Sequence, residues 1–267
     1  KSHVIGRFDG LLIAEASAAG TPLVDRTLRD IRLPEHAQIN VVGVWERGVF
    51  SAAGPDTRIL ASTVLLLAGT RAQLDDYDAL FCIYSAVEKP VVILGGGRVG
   101  RACAHGLAAQ NTDFRIVEKS PDVAIDSGHL VRGDAADLDV LRRAGLMESP
   151  AVVITTHDDD MNVYLALYCR RLRPDIQIIS RSTLERNVDT LHRAGADFVM
   201  SYASMGANAV YNLLRRDDVL LLAEGLSAFE VGVPAALNGL TLGETKIRET
   251  TGCNVIALET NQRVITN

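Results

Sequence analysis

The sequence predicts an α/β protein in which a doubly wound parallel sheet is flanked by two small α+β modules. Two observations support this prediction. Apolar segments of strand length alternate with amphipathic helical segments through the middle of the chain, a pattern typical of parallel sheets with crossover helices. The two ends of the chain repeat each other, since residues 23–48 and 237–262 align without a gap.

The composition excludes several classes of protein. The chain has 267 residues, of which 48% are hydrophobic, so it can bury the cores of roughly two or three small domains. Its formal net charge of −6 argues against binding to nucleic acid, which requires a basic face. No apolar run approaches the roughly 18–20 residues of a membrane span. The 4 cysteines and 6 histidines form no CxxC pair and no zinc-ligand pattern, so we expect free thiols in a reducing compartment.

The repeat at the two ends predicts a duplicated module. Its identical pairs include Thr27 with Thr241, Leu28 with Leu242, and Asn40 with Asn254. Each copy is expected to form a short helix that begins at Thr-Leu, then a turn and a β-branched strand headed by Asn. In the first copy an apolar strand follows over Val64–Ala68. The second copy ends before the matching strand and the chain starts without Met, so we expect a truncated second module in a fragment of a longer protein.

Six strands and four helices are predicted between the repeats. The strands are the apolar segments 91–94, 114–117, 129–131, 151–155, 176–180 and 198–200. The helices lie over 98–110, 161–172, 184–193 and 203–215. Right-handed crossovers bring the carboxyl ends of the strands to one edge of the sheet, where a ligand crevice is expected.

A glycine-rich turn follows the first of these strands and opens the first helix. Its sequence, Gly95-Gly96-Gly97-Arg98-Val99-Gly100, is a GxGxxG pattern in the strand–turn–helix context of a Rossmann-like fold. Gly95 permits the tight turn, Gly97 lets backbone N–H groups approach a pyrophosphate, and Gly100 allows close packing of helix on sheet. The partial positive charge of the helix N-terminus also attracts phosphate. The alternative is a fold of this type whose turn has lost its ligand.

A carboxylate stands where the ribose of a bound nucleotide would lie. Glu118 ends the second strand, 23 residues after Gly95, and can accept both ribose hydroxyls. It would repel a 2′-phosphate, which favours NAD(H) or an adenosine nucleotide over NADP(H), although the adjacent Lys119 softens this exclusion. Gly133-Asp134-Ala135 follows the third strand, where an adenine edge would sit. The other interpretation of that segment is a plain turn and helix cap.

Further candidate residues follow the fourth and fifth strands. Thr155-Thr156-His157 lies at the end of the fourth strand and faces the crevice. Arg181 ends the fifth strand, where it would pair with a phosphate or with a carboxylate of a neighbouring subunit, unless it is a surface arginine. The run Asp158-Asp159-Asp160 suits the N-terminus of a helix, and it is alternatively a site for a divalent cation such as Ca²⁺.

These motifs resemble RCK domains, the regulators of K⁺ conductance, which are also described as Trk-type domains. The nucleotide-binding N-lobe of that family is similar in its glycine turn, in Glu118, Gly133–Ala135, Thr155–Asn162 and Arg181, and in Gly195-Ala196-Asp197. The end repeats look like the small C-lobe of the same family. The resemblance implies a first C-lobe over 1–72, a linker over 73–89, a Rossmann-like N-lobe over 90–216 and a partial second C-lobe over 217–267.

The resemblance also implies a function. The chain would be the regulatory region of a potassium channel at the cytoplasmic face of the cell membrane, with a membrane pore upstream in the parent chain. It would bind NAD(H), ADP or ATP, and some members of the family bind divalent cations. Homo-oligomers would form through the helix over Ala203–Arg215, with paired domains assembling into a gating ring. The peripheral subunit of a Trk-type potassium-uptake system is the alternative within the family.

An NAD-dependent oxidoreductase is the competing class of function. Such an enzyme needs a substrate-binding domain and an acid–base group at the nicotinamide. His105 and His157 are the nearby candidates, and neither is paired in a recognisable order with a catalytic Lys, Tyr or Asp. We therefore expect a sensor without turnover.

Overall fold

The structure of the chain is a computed structural model. It describes residues 2–8, 10–33, 37–81, 89–123, 128–214, 219–223, 226–260 and 263–266. Arg215, the last residue of the predicted pairing helix, and residues 82–88 of the predicted linker lie outside this set.

The first module is built on a five-stranded antiparallel sheet. Along the chain it contains β1 (His3–Phe8), β2 (Leu11–Ser17), α1 (Leu28–Ile31), β3 (Asn40–Glu46), β4 (Val49–Ala52), β5 (Thr63–Gly69) and α2 (Arg71–Phe81). In space the strands follow the order β1-β2-β5-β3-β4, so β5 is central. All residues of β5 are buried, which explains why its middle part is an uninterrupted apolar run.

Helix α2 corrects the predicted boundary of this module. Residues 73–81, expected to belong to a linker, form most of the helix, and the side chains of Leu74 and Tyr77 are fully buried in the core of the first module. Phe81 packs against the same core from one turn further on. These spacings place the three side chains on one face of the helix. The first module therefore extends to Phe81, past the boundary predicted at residue 72.

The middle lobe is a six-stranded parallel sheet with helices on both faces. Its strands are β6 (Val91–Leu94), β7 (Phe114–Glu118), β8 (Leu130–Arg132), β9 (Ala151–Ile154), β10 (Gln177–Ser182) and β11 (Phe198–Ser201). Its helices are α3 (Arg98–Ala109), α4 (Leu138–Arg143), α5 (Asp159–Leu172), α6 (Val188–Arg193), which follows a 3₁₀ turn at Glu185–Asn187, and α7 (Tyr202–Leu214). The α/β fold class and the parallel sheet are confirmed.

The strand order fixes the position of the crevice. The order is β11-β10-β9-β6-β7-β8, so the chain runs outward from β6 on one side and outward from β9 on the other. Ligands of doubly wound sheets bind at such a switch point, outside the carboxyl ends of the strands. Adjacent residues of β6 face opposite cores, since Val92 packs with one buried cluster and Ile93 with the other. Burial on both faces explains why these strands are continuously apolar.

The second module repeats the first over most of its length. It contains β12 (Val219–Ala223), β13 (Leu226–Phe229), a 3₁₀ turn at Ala235–Leu237, α8 (Leu242–Thr245), α9 (Ile247–Thr251), β14 (Ala257–Thr260) and β15 (Arg263–Thr266). Thr27 caps α1 and Thr241 caps α8, each in a capping box with an acidic residue three positions later. Arg32 and Lys246, which align in the repeat, both adopt a left-handed backbone with φ of 50°.

The copies differ in where the second strand begins. Among the described residues of the first module, Asn40 and Val41 pair with β5, and β4 pairs with Gly43–Glu46. In the second module, the described pairing of β14 is with β15, over Ala257–Thr260. The strand thus begins at Ala257 and not at Asn254, where the sequence predicts it. The described strands of this module form two separate two-stranded sheets.

The first module packs directly against the middle lobe. The side-chain amide of Gln177 on β10 donates to the hydroxyl of Ser17 on β2 at 2.6 Å. Gly48, between β3 and β4, has a φ of +80° and touches the ring of His192 so closely that a β-carbon there would lie 2.6 Å from the ring. Among the described residues, no helix combines the length and apolarity needed to cross a membrane.

Candidate functional site

The glycine turn joins β6 to α3 and leaves the start of that helix open. Gly95 has a φ of +107°, and its N–H donates to the carbonyl of Val117 at 2.9 Å. A β-carbon on Gly100 would lie 1.9 Å from the carbonyl oxygen of Gly95, so this position accepts only glycine. Gly97 is the N-cap of α3 and supplies no side-chain hydrogen bond to it. The first N–H groups of α3 can therefore bind an anion.

Glu118 is fixed beside this turn at the end of β7. Its Oε2 accepts a hydrogen bond from the N–H of Gly96 at 2.7 Å, and its Oε1 accepts one from the N–H of Ser120 at 2.7 Å. The carboxylate thus contacts Gly96, the residue before Gly97, where phosphate would bind. This position fits the predicted role in accepting ribose hydroxyls.

The residues after β7 and β8 form the neighbouring edge of the crevice. The ammonium of Lys119 lies 3.7 Å from the carboxylate of Asp134, and both side chains are exposed. Asp134 also accepts a hydrogen bond from the N–H of Ala136 at 2.9 Å, as a turn residue would. Gly133 has a φ of +155° and donates its N–H to the carbonyl of Glu118 at 3.1 Å. Ala135 packs against the core of the lobe.

Thr155 and Thr156 hold the residues around the glycine turn in place through hydrogen bonds of their hydroxyl groups. The hydroxyl of Thr155 is buried and donates to the carbonyl oxygen of Gly95 at 2.9 Å, which holds the turn in place. The hydroxyl of Thr156 donates to Oδ1 of Asn162 at 2.6 Å. Asn162 is fully buried and donates in turn to the carbonyl of Arg181 at 3.2 Å. These contacts tie the ends of β6, β9 and β10 together.

The three consecutive carboxylates at the start of α5 are not brought together. Asp158 is the N-cap and accepts from the N–H groups of Asp160 and Met161 at 2.9 and 3.3 Å. Asp159 turns the other way, and accepts from the N–H groups of Thr183 and Leu184 at 2.9 and 3.0 Å. Within the described ranges, no group of three or more His, Cys, Asp or Glu side chains is placed to hold a metal ion. The geometry favours the helix-cap interpretation over the cation site.

The surroundings of Asp159 stabilise the ionised form of its carboxyl group. Burial acts to raise the pKa of this carboxyl group, but hydrogen bonds from Asn187, Thr183 and Leu184 outweigh burial and lower that pKa below its ordinary value. The carboxylate therefore fastens the loop after β10 to the start of α5.

Arg181 projects from β10 into a cavity beside the glycine turn. Its side chain is buried, with Nη1 3.3 Å from Nδ1 of His157 and Nη2 donating to the hydroxyl of Thr183 at 3.0 Å. The guanidinium stacks over the ring of Tyr202, with its carbon 5.2 Å from the ring centre. The cavity has a volume of about 590 Å³ and is also lined by Arg98 and Val99 of α3. This volume lies within the range of small-molecule pockets.

Two residues that line this cavity are not predicted from the sequence. Tyr202 and Met205 lie in the first turn of α7 and line the cavity together with residues of α3. The available signal is the register of β10 with β11, which sets Arg181 beside Met200 and so brings the start of α7 next to Arg181. No sequence motif carries that register.

Comparison with known proteins assigns two domain families to the chain. Residues 13–81 match the TrkA-C domain, and residues 91–202 match the TrkA-N domain. The chain belongs to the RCK family. The resemblance inferred from the motifs is thus confirmed, and the TrkA-C match ends at Phe81, like α2.

Relatives of this RCK chain include channels and uptake proteins. Potassium channel protein 1 of Methanocaldococcus jannaschii is 25% identical over 190 residues, which are 66% of this chain and 57% of the relative. The Trk system potassium uptake protein TrkA homolog of Pyrococcus abyssi is 29% identical over 173 residues, 59% of this chain and 76% of the relative. The solved structure of the GsuK channel bound to NAD matches 97% of this chain and 47% of its own length, at 34% identity and a TM-score of 0.63. The RCK chain thus spans about half the length of these two channel relatives.

Proposed function

We propose that this RCK chain is the nucleotide-sensing regulatory region of a potassium channel, at the cytoplasmic face of the membrane. The observation that carries the proposal is the crevice at the switch point of the sheet. There the open N-terminus of α3 offers N–H groups for phosphate, and Glu118 lies one residue away with a carboxylate for ribose. Both parts of a nucleotide thus have matching groups at one place.

The ligand proposed is NAD(H) or an adenine nucleotide. The pyrophosphate would contact the backbone at Gly97 and Arg98. Because Gly97 has no side chain, the backbone there is open to the phosphate. The ribose hydroxyls would donate to Glu118, which also disfavours the 2′-phosphate of NADP(H). The NAD-bound GsuK channel, which aligns with nearly the whole chain, supports this ligand class. The carboxylates of Asp158–Asp160 are not part of the proposed ligand site, because two of them are engaged by backbone N–H groups.

The proposed assembly is a homo-oligomer paired through α7. Met205, Val210 and Leu214 on this helix are exposed by 55%, 54% and 77%, which is unusual for three apolar side chains on one helix. A second copy would bury them, and pairs would assemble into a ring beneath the pore. For the ligand to gate the pore it must bind one arrangement of the pair more tightly than the other, since equal affinity shifts no equilibrium.

A Trk-type uptake system is the second candidate for the parent protein. The Pyrococcus relative favours it, because uptake proteins of this kind contain the same lobe. The channel is preferred because the GsuK channel structure aligns with both flanking modules as well as the middle lobe, whereas the Pyrococcus relative matches 59% of the chain.

An oxidoreductase has less support from the geometry. Nδ1 of His157 is engaged by Arg181, and His105 lies on the exposed surface of α3. Neither arrangement shows the carboxylate-oriented imidazole of an acid–base catalyst.

Thermal unfolding with NAD⁺, NADH, NADP⁺, ADP, ATP and Ca²⁺ tests the proposed function. A ligand at 100 times its Kd adds roughly 2.7 kcal/mol to the free energy of unfolding. Stabilisation by NAD(H) or an adenine nucleotide, with little by NADP⁺, is expected, and NADH absorbance should stay constant in the bound state. Absence of stabilisation by every nucleotide would refute the proposal, and NADH oxidation with a small-molecule substrate would favour the enzyme.

A further inference from the structure

We infer that the first module docks on the middle lobe through a proton-sensitive contact between Gly48, at the tip of the β3–β4 hairpin, and the ring of His192, and that acid weakens this docking. The inference concerns the joint between two parts of the chain. It does not depend on the proposed nucleotide site or on the proposed assembly.

The tip of the hairpin has a shape that admits an imidazole ring. Strands β3 and β4 are joined by the two residues Arg47 and Gly48, which have φ of 49° and 80°. Both lie in the left-handed region, as the tightest hairpin turns require. A β-carbon on Gly48 would lie 2.6 Å from Cδ2 and 2.8 Å from Nε2 of His192. The ring therefore packs against bare backbone, and a larger residue at position 48 would push it away.

The docked arrangement favours the neutral form of the ring. A carbonyl oxygen can only accept a hydrogen bond, so Nδ1 of His192, which lies 3.1 Å from the carbonyl oxygen of Ala196, carries the proton. Nε2 is then unprotonated, and within the described part of the chain it has no hydrogen-bond partner. Protonation would place a cationic N–H at Nε2, against the hairpin and with no described acceptor to receive it. A charged donor without a partner is costly where water is excluded.

Charged groups surround the ring from both sides of the joint. They are Asp189 and Arg193 on α6, Asp197 before β11, Arg170 on α5 and Arg47 on the hairpin. Burial has the strongest influence and lowers the pKa of His192 below its ordinary value, although Asp189 and Asp197 act to raise it. Asp197 is already paired with Arg170 at 2.8 Å, and Arg47 adds a positive charge when the hairpin docks.

The joint around this contact is polar. A cavity of about 90 Å³, large enough for water, lies between the two parts of the chain. Its polar lining consists of Arg47 and Ser62 from the first module and of Arg170, Asp175 and Asp197 from the middle lobe. Opening a wet, polar joint exposes little apolar surface at this place, so a change in the charge of one group can shift the equilibrium.

The direction of the response follows from which groups move. Asp189 and Asp197 belong to the middle lobe and stay near the ring when the hairpin leaves, whereas the hairpin takes Arg47 and part of the burial away. The pKa of His192 is therefore higher in the released state than in the docked state. Docking is strongest above the pKa of the released ring. It weakens as the pH falls through that value, by up to about tenfold per pH unit, until the docked ring also titrates.

Proton NMR of the full chain tests the inference without a variant. The α-carbon of Gly48 lies against the imidazole of His192, so the ring current shifts the α-proton resonances while the hairpin is docked. We expect this shift to be lost on acidification, with the same midpoint as the protonation of His192. A shift that persists after the ring is protonated would overturn the inference, because the cationic ring would then remain docked.

Gly48→Ala tests the same contact at neutral pH. Its β-carbon would collide with the ring and release the hairpin, so the pKa of His192 should rise by about half a unit or more, which corresponds to roughly threefold in proton affinity. Gly20→Ala is the matched control in the first module, since Gly20 has a φ of +70° and its added β-carbon would meet nothing within 4 Å. The control should keep the wild-type pKa. An unchanged pKa in Gly48→Ala, or an equal rise in both variants, would overturn the inference.

Discussion

A β-carbon on Gly100 would stand 1.9 Å from the carbonyl oxygen of Gly95, so the first turn of α3 packs against the glycine turn with no room for a methyl group between them. Gly100→Ala must therefore displace the turn, and we expect the free energy of unfolding to fall by about 3 kcal/mol or more. Gly106→Ala is the matched control on the same helix, where nothing lies within 4 Å. It should be neutral or stabilise by up to about 1 kcal/mol, and urea unfolding measures both.

Gly97→Asp should abolish nucleotide binding. The carboxylate would stand at the N-terminus of α3, where it occupies the place of the pyrophosphate and repels it. In the ligand-free chain a β-carbon there meets only the ring of His157, at 3.4 Å, so the variant should fold. Gly106→Asp introduces the same charge further along α3 and should bind normally in a calorimetric titration. Equal affinity of the Gly97 and Gly106 variants would show that the ligand lies elsewhere.

Glu118→Gln should weaken NAD⁺ binding about tenfold or more, because a charged acceptor of the ribose hydroxyls is lost. The amide retains an acceptor for the N–H of Gly96, so the turn should stay in place. Removing the negative charge should also raise the affinity for NADP⁺ relative to NAD⁺. Competition by inorganic pyrophosphate, which has no ribose, should be unchanged, and an equal loss there would assign Glu118 to the turn alone.

The free energy of unfolding should fall as the pH drops below about 6.5, because of His192. Burial lowers the pKa of this imidazole below its ordinary value of 6.5, so the folded state favours the neutral form. The contribution is complete above the pKa of the unfolded chain and is lost as the pH falls below it, by up to about 1.4 kcal/mol per pH unit. His192→Gln should flatten this part of the profile of unfolding free energy against pH. A profile of unchanged slope would mean that the ring is protonated in the folded chain.

Val210→Glu combined with Leu214→Glu should convert the oligomer into a species of half the mass. Both side chains are exposed on α7, and charges there would have to be buried on pairing. Val49→Glu alters an equally exposed apolar residue on β4 and should leave the mass unchanged. Sedimentation velocity distinguishes these results, and a variant that keeps the wild-type mass would place the interface on another surface.

The parallel sheet could be predicted from sequence because its signals are local. Its central strands β6 and β9 are buried on both faces, so Val91–Leu94 and Ala151–Ile154 are continuous apolar segments. Strand β1 has no such signal: it lies at the edge of its sheet, its residues are mostly exposed or half-buried, and its register shifts between Val4 and Gly6. The helix over 71–81 does carry a sequence signal, since Leu74, Tyr77 and Phe81 have the spacing of one helix face, but their contact with the core of the first module is set by tertiary packing.

In the candidate site, too, some residues could be predicted from the sequence and others could not. The glycine turn and Glu118 could be predicted because their spacing along the chain is fixed by one strand–turn–helix–strand unit. The contact of Arg181 with Tyr202 depends on the pairing of two separate strands, and the role of Asp159 depends on a loop that follows another strand. Such contacts are set by tertiary packing, and no residue pattern near either position encodes them.

The central position of β5 has a consequence for the kinetics of folding. Hairpins β1–β2 and β3–β4 connect neighbouring segments and can form quickly, but β5 must close long loops to reach Ser17 on one side and Asn40 on the other. Until it does, the first module is two hairpins without a common core, as in the arrangement of β12–β13 and β14–β15. During synthesis, residues 3–52 would therefore remain exposed to proteases and to mispairing until β5 has left the ribosome.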